Sequence, residues 1–184
     1  MEERLLIEGC KKGESWAQKL MYELYAPVMM GVCLRYVGNR QTACDLMHDG
    51  FVKLFSKIDT YSGTGSFKGW MRKIFVNTAL EHLRHKDVLR GSVEIEKSDH
   101  ECVEPDVSLF EPLSAECLFA CITQLPNKYR VVFNLRAIEK YSYHEIVKEL
   151  KISENTVRSQ YARARQLLQK MLMDKIDNSD ERRF

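Results

Sequence analysis

No apolar run in this 184-residue chain approaches the roughly 20 residues that a membrane span needs. The first residues, MEER, lack the basic stretch and apolar core of a signal peptide, so a cytoplasmic protein with no direct membrane insertion is expected. There is no phosphate-binding loop: the glycine-containing stretch DTYSGTG at 59–65 is not followed by Gly-Lys-Ser/Thr. No nucleophile stands beside a paired base, and the five histidines are scattered, which argues against an all-α enzyme. Of the six cysteines, Cys117 and Cys121 are four apart, as are Cys44 and His48. Neither pair has a second pair at zinc-finger spacing. No metal and no cofactor is expected, and the thiols read as reduced, small hydrophobes. No strand alternation and no internal repeat is present.

Net charge is also nearly absent, at +2, but its distribution is uneven. Residues 1–85 carry 12 Lys and Arg against 9 Asp and Glu. Residues 86–112 carry 3 against 8, and residues 113–184 carry 13 against 9. Two mildly basic blocks flank an acidic one, as expected of two nucleic-acid-facing domains on a tether. The fold expected is all-α: two small helical domains joined by a flexible acidic linker, the second with a helix-turn-helix. The boundaries expected are 1–86, a linker over 87–111, 112–174, and a charged, frayed tail over 175–184.

What is present is helical periodicity. A short helix over 2–12 should end at Gly13. From Glu14 a long helix should place Trp16, Leu20, Leu24, Val28, Val32 and Tyr36 near one stripe, kinked but not ended by Pro27. Gly38-Asn39 stops it. A third helix over 40–57 carries an outer polar row, Asp45, His48, Asp49 and Lys53. That row is either a solvated face or a docking surface for a basic partner. A fourth helix over 66–86 interleaves Lys68, Trp70, Arg72, Lys73 and Asn77 with apolar residues. An aromatic among cations beside a loop suits single-stranded nucleic acid, where cations follow the backbone and rings stack on bases. The alternative is that Trp70 and Phe75 are simply core.

The most telling stretch is Tyr141–Leu168, YSYHEIVKELKISENTVRSQYARARQLL. Ser142 and Glu145 stand at capping-box spacing. Tyr143, Ile146, Val147 and Leu150 share an apolar face. Lys151-Ile152 is a short turn, and Ser153 is the next N-cap. Val157, Tyr161, Ala164 and Leu168 face back toward the first helix. Glu154, Asn155, Arg158, Ser159, Ala162 and Arg163 are left outside. This is a helix-turn-helix whose second helix suits a major groove, with an ordinary αα-hairpin as the bland alternative.

Three stretches together carry a family resemblance. Asp45-Leu46-Met47-His48-Asp49-Gly50-Phe51 is similar to D-L-x-Q-E/D-x-F. Phe67 to Leu80, with Trp70, Ile74 and Asn77 in place and Arg84 beyond, is similar to F-x-x-W-L-x-x-I-x-x-N. Leu125-Pro126, Tyr129-Arg130, Tyr143-His144-Glu145-Ile146, Thr156-Val157-Arg158-Ser159 and Arg163-Ala164-Arg165 complete the set. In this order the chain resembles the group IV, or extracytoplasmic-function, sigma factors of bacterial RNA polymerase, from about Leu5 to Met171. It departs at His48 (usually Gln), Val147 (often Ala), Lys151 (often Gly) and Gln160 (often basic).

The resemblance implies a promoter-specificity subunit whose partners are core polymerase (the β′ clamp helices and the β flap), promoter DNA and an anti-sigma factor. It implies polymerase binding by Asp45, His48, Asp49 and Lys53. It implies −10 binding, with a flipped base, by Tyr61, Ser66, Lys68, Trp70, Arg72, Lys73 and Asn77. It implies −35 binding by Ser153, Glu154, Asn155, Thr156, Arg158, Ser159 and Arg163. A stand-alone helix-turn-helix repressor with an N-terminal sensor or dimerisation domain is the competing reading.

Overall fold

The computed structural model describes residues 3–85 and 115–180, with side chains described as far as residue 175. The linker over 87–111 and the helix start expected at Pro112 lie outside the described residues. Every regular element among the described residues is helical. The chain divides into two compact units, Met1–His85 and Lys86–Phe184.

The first unit holds α1 (Glu3–Lys11), α2 (Ser15–Val37), α3 (Arg40–Lys57), a 3-10 turn (Ile58–Thr60) and α4 (Phe67–His85). Its punctuation follows the sequence. Gly13 takes a φ of 72° after α1. Gly38, at φ 68°, closes α2 by donating its N–H to the Leu34 carbonyl. Asn39 then caps α3, its side chain accepting from the Thr42 N–H at 2.9 Å. Pro27 sits inside α2 without ending it. Met21, Met29, Cys33, Tyr36, Leu54, Met71 and Phe75 are completely buried, and Phe67 nearly so.

The stripe expected on α2 is not the one the fold buries. Trp16, Leu24 and Val28 are exposed at 50%, 55% and 42%, while Ala17, Met21, Met29, Val32, Cys33 and Tyr36 face the core. The reason is geometric. With 3.6 residues per turn, each step of four drifts by about 40°. Five such steps from Trp16 to Tyr36 rotate by about 200°, so the two ends of the series look in opposite directions. Because α2 is apolar nearly all round, composition alone did not select a side.

The second unit holds α5 (Ala115–Gln124), α6 (Asn127–Phe133), a π-helical turn (Asn134–Ile138), α7 (Tyr143–Leu150) and α8 (Glu154–Asp180). Cys121, Ile122 and Leu125 pack with Ala164, Leu168 and Leu172 in its core. The corner between α5 and α6 is closed by Arg130, which is only 5% exposed. Its guanidinium donates to the Thr123 carbonyl at 2.7 Å and the Leu125 carbonyl at 3.1 Å, and to Asn127 Oδ1. The carbonyls that end a helix have no intrahelical partner; here one buried cation satisfies two of them. Burial pushes the guanidinium below its ordinary pKa range.

α8 continues to Asp180, through most of the region expected as a frayed tail from 175. Neither glycine nor proline occurs between Ser153 and Asp180, so neither residue type interrupts the helix over that span. Two lysines take left-handed backbone on either side of α7: Lys140 at φ 62° and Lys151 at φ 54°.

Candidate nucleic-acid and docking interfaces

α7, its turn and the start of α8 form the expected helix-turn-helix. The Glu145 N–H donates to Ser142 Oγ at 3.2 Å, and the Ser142 N–H donates back to Glu145 Oε2 at 2.7 Å, a complete capping box. Lys151 ends α7 by donating its N–H to the Val147 carbonyl at 2.9 Å. A residue with a Cβ occupies the left-handed position that favours glycine. Ser153 Oγ accepts from the Thr156 N–H at 3.1 Å and starts α8. Ile146 of α7 and Val157 of α8 are buried, whereas Ala164 and Leu168, expected to face α7, pack with Cys121, Ile122 and Leu125, and Tyr161 stacks on Phe133 of α6 at 6.2 Å.

Of the residues assigned to duplex DNA, Ser153, Glu154, Asn155, Arg158, Ser159 and Arg163 are exposed. Thr156 is half-buried, and its hydroxyl lies 2.8 Å from Ser153 Oγ. Ser153 and Thr156 therefore shape the helix start, while the other five side chains form the outward face. Arg158 is the most constrained of them. Glu154 Oε1 accepts from its Nε at 2.9 Å and from its Nη2 at 2.7 Å, and its guanidinium lies 4.3 Å from the Tyr143 ring centroid. A second guanidinium, that of Arg136 in the π-helical turn, lies 4.7 Å from the same ring. Arg136 also donates to the Tyr141 carbonyl at 3.0 Å. Sequence reasoning missed Arg136, because it stands outside the helix-turn-helix in sequence. Only the π-helical turn brings it to Tyr143.

In the first unit, α4 starts after a loop whose Gly63 and Gly65 take φ values of 79° and 77°. Trp70 is half-buried. It stacks on Phe67 at 5.6 Å and tilts against Tyr61 at 5.3 Å. Trp70, Lys73 and Asn77 share one face of α4 at helical spacing, with Lys68 exposed and Arg72 half-buried nearby. Ser66 Oγ accepts from the Gly69 N–H at 3.2 Å and so helps start α4.

Tyr61, assigned to the same surface, is turned inward. It is 7% exposed, meets Phe67 edge-on at 5.1 Å and donates its hydroxyl to the Gly65 carbonyl at 2.8 Å. Its ring holds the loop against Phe67 and Trp70. The motif placed it beside the loop but could not say which way it faced.

On α3, Asp45, His48 and Asp49 are exposed. Lys53, one turn on from Asp49, is half-buried and reaches toward α4: its Nζ lies 2.6 Å from Glu81 Oε2. That hydrogen bond holds the Glu81 carboxyl below its ordinary pKa. Two further residues join the row. Val52 is 70% exposed, and Tyr22 of α2 brings its hydroxyl 3.1 Å from His48 Nε2. An exposed valine at the polar spacing was the available signal for the first; nothing in the sequence pointed to the second. No group of three or more metal-ligating side chains occurs among the described residues, and no described helix is long and apolar enough to cross a membrane.

Comparison with known proteins places both units in one family. Residues 21–88 match the family model "Sigma-70 region 2", and residues 115–168 match "Sigma-70, region 4". The chain is 27% identical over 181 residues to the RNA polymerase sigma-H factor of Pseudomonas aeruginosa, covering 93% of this chain and 94% of that protein. It is 27% identical over 179 residues to the ECF RNA polymerase sigma-E factor of Haemophilus influenzae, covering 92% and 94%. A solved structure of the sigma factor RpoE with the anti-sigma factor NepR from Bartonella quintana aligns with a TM-score of 0.49 at 21% identity, over 84% of this chain and 96% of that one.

Proposed function

The chain belongs to the extracytoplasmic-function branch of the sigma-70 family, and we propose on that premise how its surfaces divide the work of directing RNA polymerase core to promoters. The outer face of α3, with Asp45, His48, Asp49 and Val52, docks on the β′ clamp helices of the core enzyme. The Trp70, Lys73 and Asn77 face of α4, with Ser66, Lys68 and Arg72 around it, holds the separated −10 strand. There a base leaving the stack costs a few kcal/mol, offset by stacking of about 1–3 kcal/mol per base. The second unit engages the β flap and places the start of α8 in the major groove of the −35 element, with Asn155, Arg158, Ser159 and Arg163 outward. An anti-sigma factor is the control partner that membership implies, and the cytoplasm is where the polymerase is met. The chain acts through binding energy and carries no reaction of its own.

The observation that supports this most directly is the two-sidedness of α8. Val157, Ala164 and Leu168 are buried while Asn155, Arg158, Ser159 and Arg163 stay exposed. The relatives lend nothing to a stand-alone repressor. Binding of a labelled promoter duplex with and without core polymerase separates the two readings. The complex should require core; tight, sequence-selective binding by the chain alone would return the repressor.

A further inference from the structure

The assignment of α8 to the −35 element leaves open what its most constrained side chain does, and the inference here rests on that assignment. We infer that Tyr143 and Glu154 are positioning residues for Arg158, turning the outer edge of its guanidinium toward a guanine of the −35 element.

The argument starts from the five N–H donors of a guanidinium. Glu154 Oε1 occupies one edge of Arg158, accepting from Nε at 2.9 Å and Nη2 at 2.7 Å. The Tyr143 ring covers one face at 4.3 Å. What remains is the other edge, formed by Nη1 and the second N–H of Nη2. That edge presents two parallel donors, the pattern that pairs with guanine O6 and N7. An unsupported arginine samples many rotamers and loses that freedom on binding. One held by an aromatic face and a carboxylate has lost part of it beforehand.

Glu154 adds selectivity of its own. A carboxylate beside DNA repels phosphate, so the pair disfavours Arg158 as a simple backbone clamp and favours it as a reader of base edges. Arg136, over the same ring at 4.7 Å, supplies the complementary role. It has no carboxylate partner among the described residues, and it brings a backbone-seeking cation to the flank of the recognition helix.

The experiment uses the full chain assembled with core polymerase on a promoter recovered from its own transcripts. Each −35 guanine is replaced singly by 7-deazaguanine, which removes the N7 acceptor and keeps base pairing. With the native chain, one position should lose about tenfold in affinity, within the range of a good bidentate pair. Arg158→Ala should be indifferent at that position. Tyr143→Leu should shrink the penalty about two- to fivefold, the size of an exposed cation–π contact, while Tyr143→Phe should restore it in full. Glu154→Ala should shrink it as Tyr143→Leu does. Arg136→Ala should leave the penalty intact and lower the salt dependence by about one phosphate contact.

Equal affinity at every deazaguanine position, with Arg158→Ala weakening all sequences alike, would overturn the guanine assignment and leave the −35 assignment standing. A full penalty in Tyr143→Leu, or a Tyr143→Phe that behaves like Tyr143→Leu, would overturn the positioning role. No effect of Arg158→Ala on any promoter would remove the −35 reading itself.

Discussion

Gly50 on α3 and Phe75 on α4 touch across the first unit with no room between them. A Cβ on Gly50 would lie 2.4 Å from the Phe75 ring, and that ring is completely buried, edge-on to Phe51 at 5.1 Å. The missing side chain is what lets α3 present its acidic row outward while its other side packs on α4.

Gly50→Ala should therefore destabilise the first unit although alanine favours helix by about 1 kcal/mol. Phe75 has nowhere to move, and overpacking costs about 1–3 kcal/mol, so the clash wins. Gly31→Ala on α2 is the control. Nothing lies within 4 Å of its Cβ position, and it should stabilise by about 0.5–1 kcal/mol. Denaturant midpoints of the two variants should move in opposite directions.

The docking face should centre on the exposed part of the α3 row. Asp49→Lys and Val52→Asp should each weaken core-polymerase binding about tenfold, through charge reversal and loss of about 1.5 kcal/mol of apolar burial. Neither should change the denaturant midpoint. Lys53→Gln should leave core binding near its native value, since Lys53 is bonded to Glu81. Titration of labelled chain with core enzyme checks all three.

Arg130→Met keeps most of the bulk and removes the donors that close the α5–α6 corner. Two helix-end carbonyls, those of Thr123 and Leu125, lose this buried partner. The cost should be about 3 kcal/mol. Hydrogen exchange should report it as faster opening at the C-terminal end of α5, with the first unit unchanged.

Cys33 is fully buried, and burial pushes its thiol from about 9 up to about 12. Folding therefore favours the protonated thiol. Its contribution is fully present below about pH 9 and is lost as pH rises toward 12. Cys33→Ala should flatten the fall of stability over that window. At neutral pH, iodoacetamide should label the half-exposed Cys44 and Cys117 first and reach Cys33 only on unfolding, as read by mass spectrometry.

Much of this was legible in the chain because local signals agreed. Ser142 with Glu145, Asn39, Gly13 and Gly38 each declare a helix end by their own chemistry, and the structure uses each as its residue type suggests. The buried series Val157, Ala164, Leu168 follows helical period in a helix with polar outer positions, so its orientation was readable. α2 offered no such contrast, and its buried side depended on α1, α3 and α4. Lys140 and Lys151 take left-handed backbone that sequence normally announces with glycine; the turn at Lys151 was marked instead by the N-cap Ser153 that follows it, and the one at Lys140 carried no mark. Tyr61, Lys53 and Arg136 share one lesson. A side chain's partner in another element decides its direction, and residues such as Gly65, Glu81 and Tyr143 cannot be identified as partners before the fold exists.

The most direct test is transcription by purified core polymerase, free of any sigma subunit, with this chain added, and sequencing of the 5′ ends produced. Discrete starts should appear only with the chain present, each lying downstream of a shared pair of sequence elements, and Arg158→Ala should depress those that depend most on the upstream element. A set of 5′ ends unchanged from core polymerase alone would contradict the account.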